Sequence, residues 1–134
     1  MHTKFHKSPA YLGLQALRIP AGWSIGWNTL YATSRAEQGE FGGSSLFNAT
    51  NPGRRFRIDV AFRPEHDPDG RFHLTVEYQP WPRTEKGRRK TDVAFVFDGD
   101  AETIHHFDTA SYAELVDQLE AWIARCTMWV REGN

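Results

Sequence analysis

The residues able to do chemistry in this chain are few, and their spacing restricts what that chemistry can be. His105 and His106 are adjacent, and neighbours on a strand point to opposite faces, so the two rings cannot easily share one ion. A metal reading would require one of them to meet His66, His73 or a carboxylate, and no spacing in the sequence demands that meeting. The expectation is solvated or hydrogen-bonded histidines, no metal site and no cofactor. Asp67-Pro68-Asp69-Gly70 begins like a calcium loop. Such a loop needs further oxygen ligands and flanking helices, whereas residues 72–78 read as strand, so a turn is expected. The Gly/Ser-rich residues 39–45 lack the Gly-Lys-Ser/Thr of a phosphate-binding loop, and no Gly-x-Ser-x-Gly elbow occurs. No catalytic residue is assigned, and the chain reads as a binding protein and not an enzyme.

Charge layout says more. Residues 83–90 carry Arg83, Lys86, Arg88, Arg89 and Lys90 against Glu85 alone. Residues 98–120 hold Asp98, Asp100, Glu102, Asp108, Glu114, Asp117 and Glu120 with no Lys or Arg between them. The net charge of −1 therefore hides two blocks of opposite sign. An acidic block facing a basic partner speeds association and selects the partner, so Asp98, Asp100, Glu102, Asp117 and Glu120 are candidate partner-binding residues. Trp81, flanked by Pro80 and Pro82, joins them with Arg83, because an exposed Trp beside Arg suits an interface anchor. Trp81 could equally cap the end of the sheet. Two alternatives use other features: nucleic acid could meet the basic 80–90 loop with a base stacked on Trp81, or a small ligand could enter between sheet and helix near Trp27, Tyr31 and His106.

These side chains need a scaffold, and the hydrophobic periodicity describes one. Phe56, Ile58, Val60 and Phe62 alternate with Arg55, Arg57, Asp59 and Ala61; Phe72, Leu74, Val76 and Tyr78 alternate with His73, Thr75 and Glu77. Two period-2 runs around a Pro- and Gly-bearing turn predict an antiparallel hairpin with one buried and one wet face. Further strands are predicted over residues 11–19, 23–33 (Ile25, Trp27, Thr29 and Tyr31 on one face), around Leu46 and Phe47, over 91–97 (Val93, Phe95 and Phe97 inward) and over 103–107. Gly26 marks a bulge or a close approach in the second of these. Residues 34–43 read as a loop. Ser111 with Glu114 forms a capping box, and Leu115, Leu119, Trp122, Cys126 and Trp129 then recur at helical spacing. The predicted fold is α+β: a single antiparallel sheet of about five to six strands with one long C-terminal amphipathic helix on one face.

The remaining composition sets limits. A chain of 134 residues suits one domain, read here as a loose tail over 1–10 and a single domain over 11–134. The one cysteine, Cys126, excludes an internal disulfide and is expected as a buried, inert thiol. No apolar run is long enough to span a bilayer, and no secretory-type stretch follows the N-terminus. The expected location is the cytoplasm, with no membrane partner.

The segment Leu17-Arg18-Ile19-Pro20-Ala21-Gly22-Trp23-Ser24-Ile25-Gly26-Trp27-Asn28, the hairpin turning at Asp67–Gly70 and the ending from Phe107-Asp108-Thr109 to Trp122-Ile123 together resemble small immunity proteins encoded beside bacterial polymorphic and contact-dependent toxins. The resemblance is one of layout over residues 12–125, and it transfers no individual functional residue. It implies a protein that neutralises a cognate toxin by one-to-one complex formation. A nuclease toxin would suit the acidic block, although the near-zero total charge departs from that picture.

Overall fold

The computed structural model describes residues 14–30, 45–64, 67, 69–97 and 99–129. Within them five strands run in sequence order, β1 (Ser24–Asn28), β2 (Ser45–Asn51), β3 (Phe56–Arg63), β4 (Arg71–Tyr78) and β5 (Glu102–Thr109), followed by one helix, α1 (Tyr112–Met128). Every neighbouring pair is antiparallel, giving a simple meander with β1 and β5 at the edges. This is the predicted α+β layout, with five strands.

The β3–β4 ladder runs without interruption from Phe56 opposite Tyr78 to Arg63 opposite Arg71. Its apolar residues point to the helix side, where Phe56, Ile58, Val60, Phe62, Phe72, Leu74 and Val76 are wholly buried. Leu46, Phe47 and Ala49 of β2 extend that layer. α1 closes it with Leu115, Leu119, Trp122, Ile123 and Cys126, each large apolar side chain contributing roughly 1.5–3 kcal/mol on burial. The Ser111 hydroxyl accepts from Glu114 N–H, the N-cap half of the predicted box. Burial pushes the Cys126 thiol up to about 12, which keeps it protonated and inert. At the other end of α1, the Trp129 ring packs tilted against Phe56, ring centres 5.5 Å apart.

Four departures from the sequence pattern have physical causes. Residues 14–20 form no strand beyond one isolated bridge at Leu14. They lie along α1, with Gln15 accepting from the Tyr112 hydroxyl and the Arg18 N–H donating to Glu120 at 2.8 Å. Leu17 and Ile19 still pack onto the core, where the helix alone does not cover it. In β1 the register slips between Ile25 and Trp27, which pair with Ala49 and Asn48. That is the bulge Gly26 suggested, and it turns Ile25 and Trp27 to opposite faces instead of the common face expected. A Cβ at Gly26 would collide with Asn48 Oδ1.

Residues 91–97 are not a strand. Val93 is exposed, and Phe95 and Phe97 lie over the guanidinium groups of Arg55 and Arg57 at 4.8 and 4.5 Å, on the sheet face away from the helix. Lastly, β5 is longer than predicted and carries a bulge between its pairings with Val76 and Glu77. The expected tail over 1–10, the loop over 34–43, and Tyr31, His66 and Asp98 lie outside the described residues. No helix among the described residues is long and apolar enough to cross a membrane.

Candidate functional site

The sheet face opposite the helix is where the chemistry-bearing side chains collect. Strand register arranges them in cross-strand rows. The central row runs Trp27, Asn48, Asp59, Thr75, His106, one residue from each of the five strands. A row on one side runs Ser24, Thr50, Arg57, Glu77, Thr103; on the other side Ser45, Ala61, His73 and Asp108 stand in line.

These rows differ in what already covers them. Arg57 donates to Glu77 Oε1, and Phe97 lies on the same guanidinium, so that row is roofed and neutralised. In the central row Trp27 is 51% exposed, yet its indole N–H donates to Ser45 O at 3.2 Å, which fixes the ring across the neighbouring strand. Asp59 is half-buried beside Arg57 and Arg63; burial raises its carboxyl above the usual range, the two arginines oppose that rise, and Glu77 adds to it. In the third row Arg71 Nε donates to Asp108 Oδ2 at 2.7 Å, and this bond holds the exposed Asp108 carboxyl below its usual range.

His73 Nδ1 stands 3.3 Å from His106 Nε2, with the rings tilted by 31°. One ring must donate and the other accept, so the pair holds one shared hydrogen when neutral. Burial lowers the basicity of His73; Asp108 works against that, while His106, Arg63 and Arg71 reinforce it. As expected for adjacent strand residues, His105 faces the other way: it stacks on Trp122 at 4.4 Å, inside the helix layer. Among the described residues no three His, Cys, Asp or Glu gather into a group able to hold a metal ion. No hydrogen bond among them joins Thr75 to Asp59 or His106.

The partner-binding candidates read from charge are scattered. Trp81, Arg83 and Asp100 share the end of the sheet where the chain leaves β4 and returns to β5. Asp100 accepts from Gln79 Nε2 at 3.1 Å, and Arg83 donates within its own loop to Gly87 O. Trp81 is half-buried, with Arg55 4.4 Å and Arg89 5.6 Å from its ring centre; it caps the sheet end, and a stacking base would compete with these two guanidinium groups. Glu102 is exposed at the start of β5, opposite Tyr78. Asp117 is exposed in the helix layer, whereas Glu120 is half-buried against residue 18. Among the described residues of the acidic run, Glu102 and Asp108 therefore stand on β5, and Asp117 and Glu120 on α1. Trp27 and His106, considered for a pocket under the helix, lie on the opposite face of the sheet.

Arg55 went unnoticed in the sequence because it reads as one more wet-face arginine. It is buried (4% exposed) with φ of +69°, and it donates to Gln79 O and Pro80 O at 3.0 and 2.9 Å while lying against Trp81 and Phe95. It pins the 80–97 excursion to the sheet. Beside it a small cleft of ≈ 110 Å³ is lined by Gln79, Pro82, Val96 and Asp100 among others. No protein-family profile, curated protein or solved structure matches this chain.

Proposed function

We propose that this chain is a stoichiometric protein-binding domain of the immunity type, neutralising a cognate toxin by one-to-one complex formation. Its contact surface on this reading is the sheet face opposite the helix. The observation that carries the choice is Trp27: a large ring half in solvent, on a bulged strand, held by a hydrogen bond to Ser45 O. A ring already fixed in place loses little freedom when it is covered, and Trp is enriched among residues that dominate interface energetics. Asn48 stands beside it, and Thr75 and His106 continue the same cross-strand row, offering hydrogen bonds further along the face. The carboxylates of the face each have an arginine nearby, so the surface suits a partner of mixed charge better than a uniformly basic one.

The test is recovery of the tagged full chain from its native cells at low salt, identification of what is retained by mass spectrometry, and rescue of that partner's toxicity by co-expression. A 1:1 complex weakened about thirtyfold by Trp27→Ala, the effect of a hot spot near 2 kcal/mol, supports the reading. Full affinity in Trp27→Ala combined with loss in Asp117→Lys/Glu120→Lys would move the interface to the helix. No stoichiometric partner, or one whose toxicity is not relieved, would end the immunity reading.

A further inference from the structure

The edge strand β5 is gripped by imidazoles on both of its faces. On the helix side His105 lies flat on Trp122, ring centres 4.4 Å apart and planes within 26°. Arg125 lies over the same indole at 4.8 Å. His105 Nε2 is buried and has no hydrogen-bond partner. A bare ring nitrogen is tolerable there as a lone pair, but protonation would put an N–H⁺ in the same place without an acceptor and near a guanidinium. On the other side His106 meets His73 across the β4–β5 ladder at 3.3 Å. One proton added to that pair keeps an N–H⁺···N bond, whereas a second leaves two N–H⁺ groups facing each other.

We infer that β5, with α1 behind it, is an acid-released edge of the sheet: imidazoles on both faces hold it at neutral pH, and their protonation lets it open. The surrounding charges bear this out. His105 is faced by Arg125 from α1 and by His106 from its own strand. His73 is faced by Arg63 from β3, Arg71 from β4, and His106 and Asp108 from β5. Asp108 alone favours the added charge, and it is already bonded to Arg71. Burial first, then these positive neighbours, lowers the basicity of His105, and burial is likewise the largest cause for His73.

The sign follows from linkage. A base that binds its proton less readily in the closed state than in the open one favours closure above its ordinary pKa of about 6.5, and that advantage is lost as pH falls below it. β5 is the element placed to respond, since among the described residues it pairs on one side only, with β4, and is followed directly by α1. The inference does not depend on the identity of any partner.

The experiment is hydrogen exchange on the full chain between pH 8 and pH 5, with intrinsic exchange rates divided out. The expected result is that protection of residues 102–109 and of α1 falls below pH 6.5, with an upper slope of about tenfold per pH unit for each proton taken up, while β3 keeps its protection. His105→Phe retains a flat ring on Trp122 but cannot charge, and His73→Gln/His106→Gln removes the other pair; combining them should flatten the response. An acid step that survives in the combined variant, or β3 following β5 through the same step, overturns the proposal. Should the variants not fold, NMR titration of the unaltered protein decides: His105 and His73 titrating at or above about 6.5 overturns it, and both titrating below supports it.

Discussion

The two faces of this sheet are built from the same strands and obey different rules. Toward the helix, Phe56, Val60, Leu74 and Tyr78 lock into a layer whose side chains are almost wholly inaccessible. Away from it, the intervening residues Arg57, Asp59, His73, Thr75 and Glu77 are all half-exposed and held by ion pairs, a shared imidazole hydrogen and a stacked Phe97. The first face answers to volume and shape, because a close-packed interior cannot absorb a missing atom. The second answers to charge and hydrogen-bond geometry in partial solvent, where each contact is worth little alone. Stability should therefore concentrate on the helix side and specificity on the other, and the substitutions that test this division fall in a definite order.

The largest effect belongs to Phe56→Ala. Phe56 is fully buried where β3 begins, with Tyr78 at 5.2 Å and Trp129 at 5.5 Å, so it joins sheet and helix terminus. Truncation is expected to cost about 3–5 kcal/mol, measured as a drop in the urea midpoint with unchanged slope. A loss under about 1 kcal/mol would mean that the helix-side layer is loosely packed and that the contrast between faces is false.

Arg55→Ala comes next and probes the junction between the faces. It removes a buried guanidinium that donates to Gln79 O and Pro80 O and stacks on Trp81 and Phe95. Hydrogen bonds from a charged donor contribute about 1.5–3 kcal/mol, and the left-handed backbone at residue 55 stays strained with Ala in place. The expected outcome is a loss near 2 kcal/mol, accompanied by faster proteolytic cleavage within residues 83–90. Cleavage at the unaltered rate would show that other contacts, such as Gln79 with Asp100, suffice to hold the excursion.

How far these features could be read in advance follows the same division. The helix-side layer was legible because Phe, Ile, Val and Leu recur at period 2 in β3 and β4 and at helical spacing behind Ser111, and burial enforces that pattern. The other face was only partly legible. Residues 91–97 alternate like a strand, yet Phe95 and Phe97 satisfy themselves on Arg55 and Arg57 rather than in a ladder, and nothing in their own spacing distinguishes the two outcomes. β5 reads weakly because its centre is His105-His106 and its burial is one-sided. The meeting of His73 with His106 depends on register across 33 residues and on a bulge in β5. Similarly, the common face expected for Ile25 and Trp27 was undone by one extra residue at Gly26. Charge order along the chain proved a poor guide to charge order on the surface, since β5 and α1 carry their acids into different layers.

The smallest effect, and the one that separates the faces most cleanly, is Asp59→Asn. Burial raises the Asp59 carboxyl, with Arg57 and Arg63 only partly offsetting it. The folded protein therefore binds that proton more readily than the unfolded chain, and stability falls as pH rises through the interval between the unfolded value of 3.8 and the raised one. Above that interval the ionised group is a constant liability, reduced by its half-exposure to solvent. Replacing it with the neutral amide should raise the urea midpoint slightly at pH 7 and confer no advantage below pH 3.8, where both forms are neutral. No such gain is expected at Phe56, Ile58, Val60 or Leu74 on the helix side, whose buried side chains are apolar. A residue that costs stability where it stands, yet lies midway along the row from Trp27 and Asn48 to Thr75 and His106, is what a face shaped for binding would retain. If Asp59→Asn instead destabilises at pH 7, the carboxylate is held favourably by Arg57 and Arg63, and this face is organised for stability after all.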